Sequence, residues 1–384
     1  MTTPPDVQAL YVHVPFCRVR CGYCDFFSEL YRPAVVEPFL EALSKELAAH
    51  TARWKPRLNT IFVGGGTPTM LPAEPLQRLL ESCTTAAPND SAEFTVEANP
   101  ATIDAQKAAV LAAVGVNRAS MGAQSFNPAE LSVLERTHRP QQVRETMAIC
   151  RSAGVRSISL DLIFAIPGQD LDSWLASLDQ AIALEPEHIS CYGLTYEPGT
   201  RLHARLAAGE VTAVDPDLEA DMYEAAIDRL AAAGFAQYEI SNFARPGQQC
   251  RHNLVYWRNE PYIGAGPSAA GYVGGERYKN VADVSEYVRR VVTGADPRAE
   301  TERLSMEKSA GETTMLALRT TEGLNRARFA ERFGQDPVAW FGQRDGGRAI
   351  TQNVAEGLLE LTPEAMRLTR RGMLLANKVM ADFL

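Results

Sequence analysis

From residue 8 to about residue 195 the sequence alternates short apolar runs with amphipathic stretches, six times over. This alternation limits the fold more than any other feature. A strand followed by a helix returns to a parallel neighbour, and repeated units build a parallel sheet with helices outside. The strand candidates are residues 9–14, 60–63, 93–97, 118–122, 157–162 and 188–192. Between them a 3.6-residue spacing predicts helices over 35–50, 73–84, 105–113, 140–153 and 171–183. Gly115 and Gly154 stand just past two of these helices, where a left-handed cap is wanted. Right-handed crossovers curl such a sheet, and six strands suit an open, partial (β/α)6 barrel better than a closed eight-stranded one.

In barrels of this kind the chemistry gathers at the C-terminal ends of the strands. Here those ends lead into Cys17, Cys21 and Cys24, then Gly64, Gly65, Gly66 and Thr67, then Glu97, Gln124, Asp161 and Tyr192. Three thiols, a glycine loop, an amide and two acids therefore face one mouth. After a further helix over 213–233 the repeat breaks. Residues 237–300 are aromatic and glycine-rich, and contain His252, Asn253, Tyr256 and Trp257 in one run. Residues 301–384 read as mainly helical, with a short β element at 362–369 and a long closing helix at 370–383. The expected division is a barrel (1–236), a connecting region (237–300) and a C-terminal domain (301–384).

The spacing C-x3-C-x2-C is too tight to span a core, but it lets three thiolates turn to one soft centre. Structural zinc takes four protein ligands. Here Phe26 stands where a fourth thiol would follow, and His13, behind Pro15, is poorly placed to replace it. A [4Fe–4S] cluster normally takes four thiolates, so three leave one iron open to a small molecule. The other four cysteines, Cys83, Cys150, Cys191 and Cys250, stand apart with no disulfide framework. Of these, Cys83, Cys150 and Cys191 read as small hydrophobes of the core. A net charge of −9 argues against a nucleic-acid surface. No apolar run approaches the roughly 18 residues of a membrane span, and residues 1–10 carry no signal pattern. The expectation is a soluble, cytoplasmic protein.

The cysteine spacing, its flanks Tyr11, His13, Pro15 and Phe16, and the Gly64–Thr67 loop resemble the radical S-adenosylmethionine (SAM) family. Within it, the chain is similar to the branch that holds oxygen-independent coproporphyrinogen III oxidase and heme chaperones. The likeness runs over nearly the whole chain. It implies a radical-SAM barrel followed by a mainly helical, winged-helix-like C-terminal domain. It implies a [4Fe–4S] cluster on Cys17, Cys21 and Cys24, whose open iron takes the amino and carboxylate groups of SAM. Matched positions give Tyr23 near the adenine, Gly65, Gly66 and Thr67 at the methionine part, and Glu97, Gln124, Arg136 and Asp161 as further SAM contacts. Tyr11 matches a position near the iron-bound SAM.

Two functions of different class follow from the resemblance. One is oxidative decarboxylation of coproporphyrinogen III to protoporphyrinogen IX. The other is heme carriage to respiratory heme proteins, with cluster and SAM in support. The oxidase pattern continues C-x3-C-x2-C-x-C, and Phe26 occupies its last position. His252, Asn253, Tyr256 and Trp257 match the H-N-x-x-Y-W motif of the chaperones. Both features favour the carrier, with heme bound through His252, since a neutral imidazole can ligate heme iron. Cys250 is the alternative ligand. The resemblance assigns no catalytic residue and is compatible with a homodimer.

Overall fold

A computed structural model describes residues 6–85 and 92–384. Six strands run in parallel: β1 (Ala9–Val14), β2 (Thr60–Gly65), β3 (Glu93–Ala98), β4 (Arg118–Gln124), β5 (Ser157–Phe164) and β6 (His188–Gly193). Each pairs with the next. Helices lie between them, among them α1 (Val36–Trp54), α2 (Ala73–Thr85), α3 (Ala105–Ala113), α4 (Pro128–Val133), α5 (Pro140–Ala153) and α6 (Leu171–Ala183). Phe39 and Leu43 of α1, Leu76 and Leu80 of α2, Val143 and Met147 of α5, and Trp174 and Leu178 of α6 are buried in one core. That core takes one alternate set of strand residues: Leu10, Val12 and Val14, then Ile61 and Val63, Val96, Met121, Leu160 and Ile189.

The opposite set faces the barrel interior, and it is polar. Glu97, Ser120 and Ser159 stand side by side in register, as do Thr95, Arg118 and Ser157. This explains why the strands alternate, where a parallel sheet buried on both faces would read as continuously apolar. Burying a polar lining is costly unless its groups are hydrogen-bonded, and here Thr95 Oγ1 and Arg118 Nε have no partner among the described residues, whereas the serines do. Ser190 and Ser120 donate to Asp161, and Ser159 meets His188.

The sheet is wider than the six expected strands. After α7 (Arg201–Ala207) and α8 (Pro216–Ala232), strands β7 (Ala236–Glu239) and β8 (Asn242–Ala244) close the β6 edge antiparallel. Strand β9 (Ile263–Ala265) joins the other edge, parallel to β1. The order is β9-β1-β2-β3-β4-β5-β6-β8-β7. Three or four residues are too few to show a period, which is why these strands escape a reading by pattern. The segment around His252 thus contributes to both edges of the barrel. Between them lies helix α9 (Arg251–Trp257).

Beyond the barrel, β10 (Ala270–Val273), β11 (Glu276–Asn280) and β12 (Arg298–Glu302) form a small antiparallel sheet. The C-terminal part has its own core, with Phe329, Phe341, Met366 and Phe383. It carries a three-stranded sheet of Leu324–Asn325, Ala365–Leu368 and Leu359–Leu361. The expected long closing helix is two short ones, Arg370–Leu374 and Ala376–Ala381. Leu375 separates them at φ −113°, ψ 24°, outside helical geometry. Among the described residues no helix is long and apolar enough to cross a membrane.

Candidate functional site

The cysteine loop leaves β1 and is folded back on it. Glu29 N donates to Pro15 O (2.7 Å) and Tyr31 N to Cys17 O (2.9 Å), which closes the loop at its base. Its tip is held by Gly22 N on Leu134 O (3.3 Å) and by Leu202 N on Gly22 O (2.8 Å). The His13 ring spans the loop from below. Its Nδ1 meets Tyr11 OH (3.0 Å) and its Nε2 meets Phe27 O (2.9 Å). Burial pulls His13 down to about 4. The ring is therefore neutral, the form that accepts at one nitrogen and donates at the other.

All three thiols line one cavity of about 560 Å³ at the C-terminal ends of the strands. Tyr23, Gly65, Gly66, Thr67, Glu97, Gln124, Arg136 and Asp161 share its wall, and Tyr11 does not. Tyr11 sits one layer down, bonded to His13. Among the described residues no three His, Cys, Asp or Glu side chains stand close enough to share a single metal ion. A cluster, in which each thiolate meets its own iron, does not need the three thiols to converge on one point. Burial raises Cys17 and Cys24, and the neighbouring thiols push the same way. Deprotonated sulfur there calls for a positive centre.

The cradle for a small molecule is built from backbone. Gly65 takes φ +103°, and a Cβ there would overlap the His13 ring. Its N–H donates to Glu97 Oε2 (2.9 Å). Burial lifts Glu97 to about 7, helped by the charge of Asp161, while the Gly65 N–H works against the rise. Asp161 is also raised by burial, opposed by hydrogen bonds from Ser190 (2.7 Å) and Ser120 (3.1 Å). Gln124 (φ 63°) and Glu135 (φ 56°) hold left-handed backbone at the rim. Strain of this kind collects at functional sites. Ser120, Ser190 and the His13 clamp escape the sequence reading, although the polar alternation of the strands is the signal for the serines.

Glu97 gives a pH-dependent expectation. A carboxyl raised to about 7 is protonated in the folded apo chain over a pH range where the unfolded chain has lost the proton. The sign follows: Glu97's own contribution to apo stability falls as pH rises from about 4.5 through 7, by up to about 1.4 kcal/mol per pH unit. Glu97→Gln removes that contribution, so urea titrations at pH 5 and pH 8 show its stability rising more with pH than that of the wild type. A slope equal to that of the wild type would show that Glu97 is not the group.

His252 lies elsewhere. Helix α9 crosses the N-terminal ends of the strands, about 16 Å from the cavity along a six-residue strand. Glu93, at the start of β3, caps it: its carboxylate accepts from Arg251 N (2.9 Å) and His252 N (3.0 Å). His252 itself is fully buried. Nδ1 meets Thr60 Oγ1 (2.8 Å), Nε2 meets Tyr256 OH (2.8 Å), and the ring stacks on Phe62 at 5.2 Å. Burial lowers it to about 3, so the imidazole is neutral. In this arrangement neither ring nitrogen is open to a ligand. Cys250 is also buried, its thiol raised to about 12 and aimed at Glu93.

Residues 11–181 match the model of the Radical SAM superfamily, and residues 304–375 that of the HemN C-terminal domain. The chain is 37% identical over 382 residues to heme chaperone HemW of Bacillus subtilis, covering 98% of this chain and 99% of that one. The chain belongs to the radical SAM superfamily, in the HemW family. HemW of Escherichia coli is 41% identical over 273 residues, 69% of this chain and 70% of its own. A mouse mitochondrial radical S-adenosyl methionine domain-containing protein 1 is 33% identical, over 98% of this chain and 87% of its own. Among solved structures, the coproporphyrinogen III oxidase HemN of Escherichia coli superposes with a TM-score of 0.86. That match covers 99% of this chain and 91% of HemN at 21% identity, which establishes the fold. In this HemW-family chain, then, the partial barrel has the three thiols at its mouth and His252 at its floor.

Proposed function

We propose that the chain is a heme chaperone that binds heme and transfers it to an acceptor heme protein. The full-length similarity to HemW proteins carries this reading. Cys17, Cys21 and Cys24 hold a [4Fe–4S] cluster, and SAM lies in the cavity against Gly65, Gly66, Glu97, Gln124 and Asp161. When bound, cluster and SAM supply one-electron chemistry that can generate a carbon radical. This chain's residues hold the thiols apart, shape the cradle and keep Glu97 and Asp161 facing it.

His252 is the heme ligand in this proposal. Its neutral state suits it, and Thr60 Oγ1 is the partner that fixes the far nitrogen. Iron would then replace the Tyr256 hydroxyl at Nε2, which requires the Tyr256 side chain to swing off the ring while Thr60 keeps its hold on Nδ1. Respiratory heme proteins are the acceptors, as in the resemblance.

The oxidase is the competing function, and one comparison separates them. The reconstituted protein is incubated anaerobically with coproporphyrinogen III, SAM and a reductant, and separately with heme followed by apomyoglobin. Heme passes to apomyoglobin, and the porphyrinogen is recovered unchanged. Sustained decarboxylation would overturn the carrier reading.

A further inference from the structure

Arg136 brings a positive charge to the cavity wall, and among the described residues no acid forms an ion pair with it. Nη1 donates to Cys21 Sγ (3.4 Å) and Nη2 to Gly122 O (2.7 Å). Its Nε is buried and unpartnered among the described residues. The neighbouring carboxylate, Glu135, lines the same cavity but is bonded to Arg201. The groups of potentially negative charge that face Arg136 include Tyr23, Cys21 and Cys24, with Cys17 beyond them. Arg18 and Arg20 of the same loop are exposed, and water screens charges placed there.

The local fold aims this side chain deliberately. Glu135 at φ 56° turns the chain so that Arg136 points inward. Arg136 N is fixed on Leu131 O (2.9 Å). Gly122 leaves room for the guanidinium, since a Cβ there would lie 3.3 Å from Nη2. Arg136 is half-buried at the cavity wall, and the ligand atom that its geometry reaches is the Cys21 sulfur.

We infer that Arg136 is the charge partner of the Cys21 sulfur, and that it raises the reduction potential of the cluster this loop holds. The inference rests on the cluster assignment made above. An added electron makes a cluster more negative, so a fixed cation hydrogen-bonded to a ligand sulfur favours the reduced state. Net charge and hydrogen bonds to sulfur are among the terms that set such potentials. This is a positioning and tuning role beyond contact with SAM, and it operates when SAM is absent.

The test uses the reconstituted full-length protein without SAM. Wild type, Arg136→Lys and Arg136→Gln are compared by anaerobic potentiometric titration, following the electron paramagnetic resonance signal of the reduced cluster. Iron content is the loading check. In Arg136→Gln the potential moves negative, with about tenfold less reduced relative to oxidised cluster at a fixed potential, or about 59 mV for one electron. Arg136→Lys falls between, because it keeps the charge but not the fork that reaches both Cys21 and Gly122. Equal potentials in all three proteins overturn the inference and leave Arg136 to SAM alone. If the Gln variant takes up no iron, Lys against wild type decides by the same criterion. Failure of the wild type itself to take up iron would instead overturn the cluster assignment.

Discussion

Cys21→Ala takes up no [4Fe–4S] cluster on anaerobic reconstitution, while the apo protein unfolds within about 1 kcal/mol of wild type. The three thiols stand on a half-buried loop outside the main cores, so removing one leaves the packing intact. It leaves only two ligands, and nothing nearby replaces the third. Phe26 is 69% exposed and has no donor. His13 is held between Tyr11 and Phe27 O. Among the described residues no grouping of three His, Cys, Asp or Glu side chains is close enough to capture a metal ion in the cluster's place. The same outcome is expected for Cys17→Ala and Cys24→Ala. Iron and sulfide analysis against circular dichroism checks it, and a variant that holds wild-type iron would contradict it.

His252→Ala has the second large effect, on stability. It removes two hydrogen bonds and the ring that stacks on Phe62. The hydroxyls of Thr60 and Tyr256 lose their partner in a fully buried place. Cavity formation and unpaired polar groups together cost about 3–5 kcal/mol. Urea titration measures the loss. His252→Gln, whose amide keeps polar atoms at the site, recovers part of it. A change below about 0.5 kcal/mol for His252→Ala would show that the motif does not latch the floor.

The same site predicts acid sensitivity. His252 is lowered to about 3, His13 and His138 to about 4, and His188 well below its usual range, each chiefly by burial. The unfolded chain takes up protons there first. Their contribution is complete above about pH 6.5 and is lost as pH falls toward 4. The apo protein therefore loses stability over that window, and less steeply in His252→Ala.

The main strands and the mouth of the barrel are legible because their signals are local. Alternation marks Tyr11 to Val14 and Ser157 to Leu162, and strand ends mark Gly65, Glu97 and Asp161. The edge strands are not legible: Asn242–Ala244 and Ile263–Ala265 are set by pairing with β6 and β1, not by their own pattern. Spacing puts His252 in a motif but says nothing of its place. Only the path of α9 under β2 and β3 shows that it lies at the floor, sealed by Thr60 and Tyr256. Arg136 is legible as a position in a family pattern, yet its bond to Cys21 belongs to three dimensions.

The central claim is that His252 binds heme once Tyr256 releases it. Absorbance-monitored heme titration of wild type, His252→Gln and Tyr256→Phe tests this directly. Tyr256→Phe frees Nε2 and binds heme faster and more tightly than wild type, while His252→Gln loses the axial-ligand spectrum and about tenfold or more in affinity, equivalent to about 1.4 kcal/mol. Identical spectra and affinities in all three proteins would contradict the account and leave His252 as a latch of the barrel floor alone.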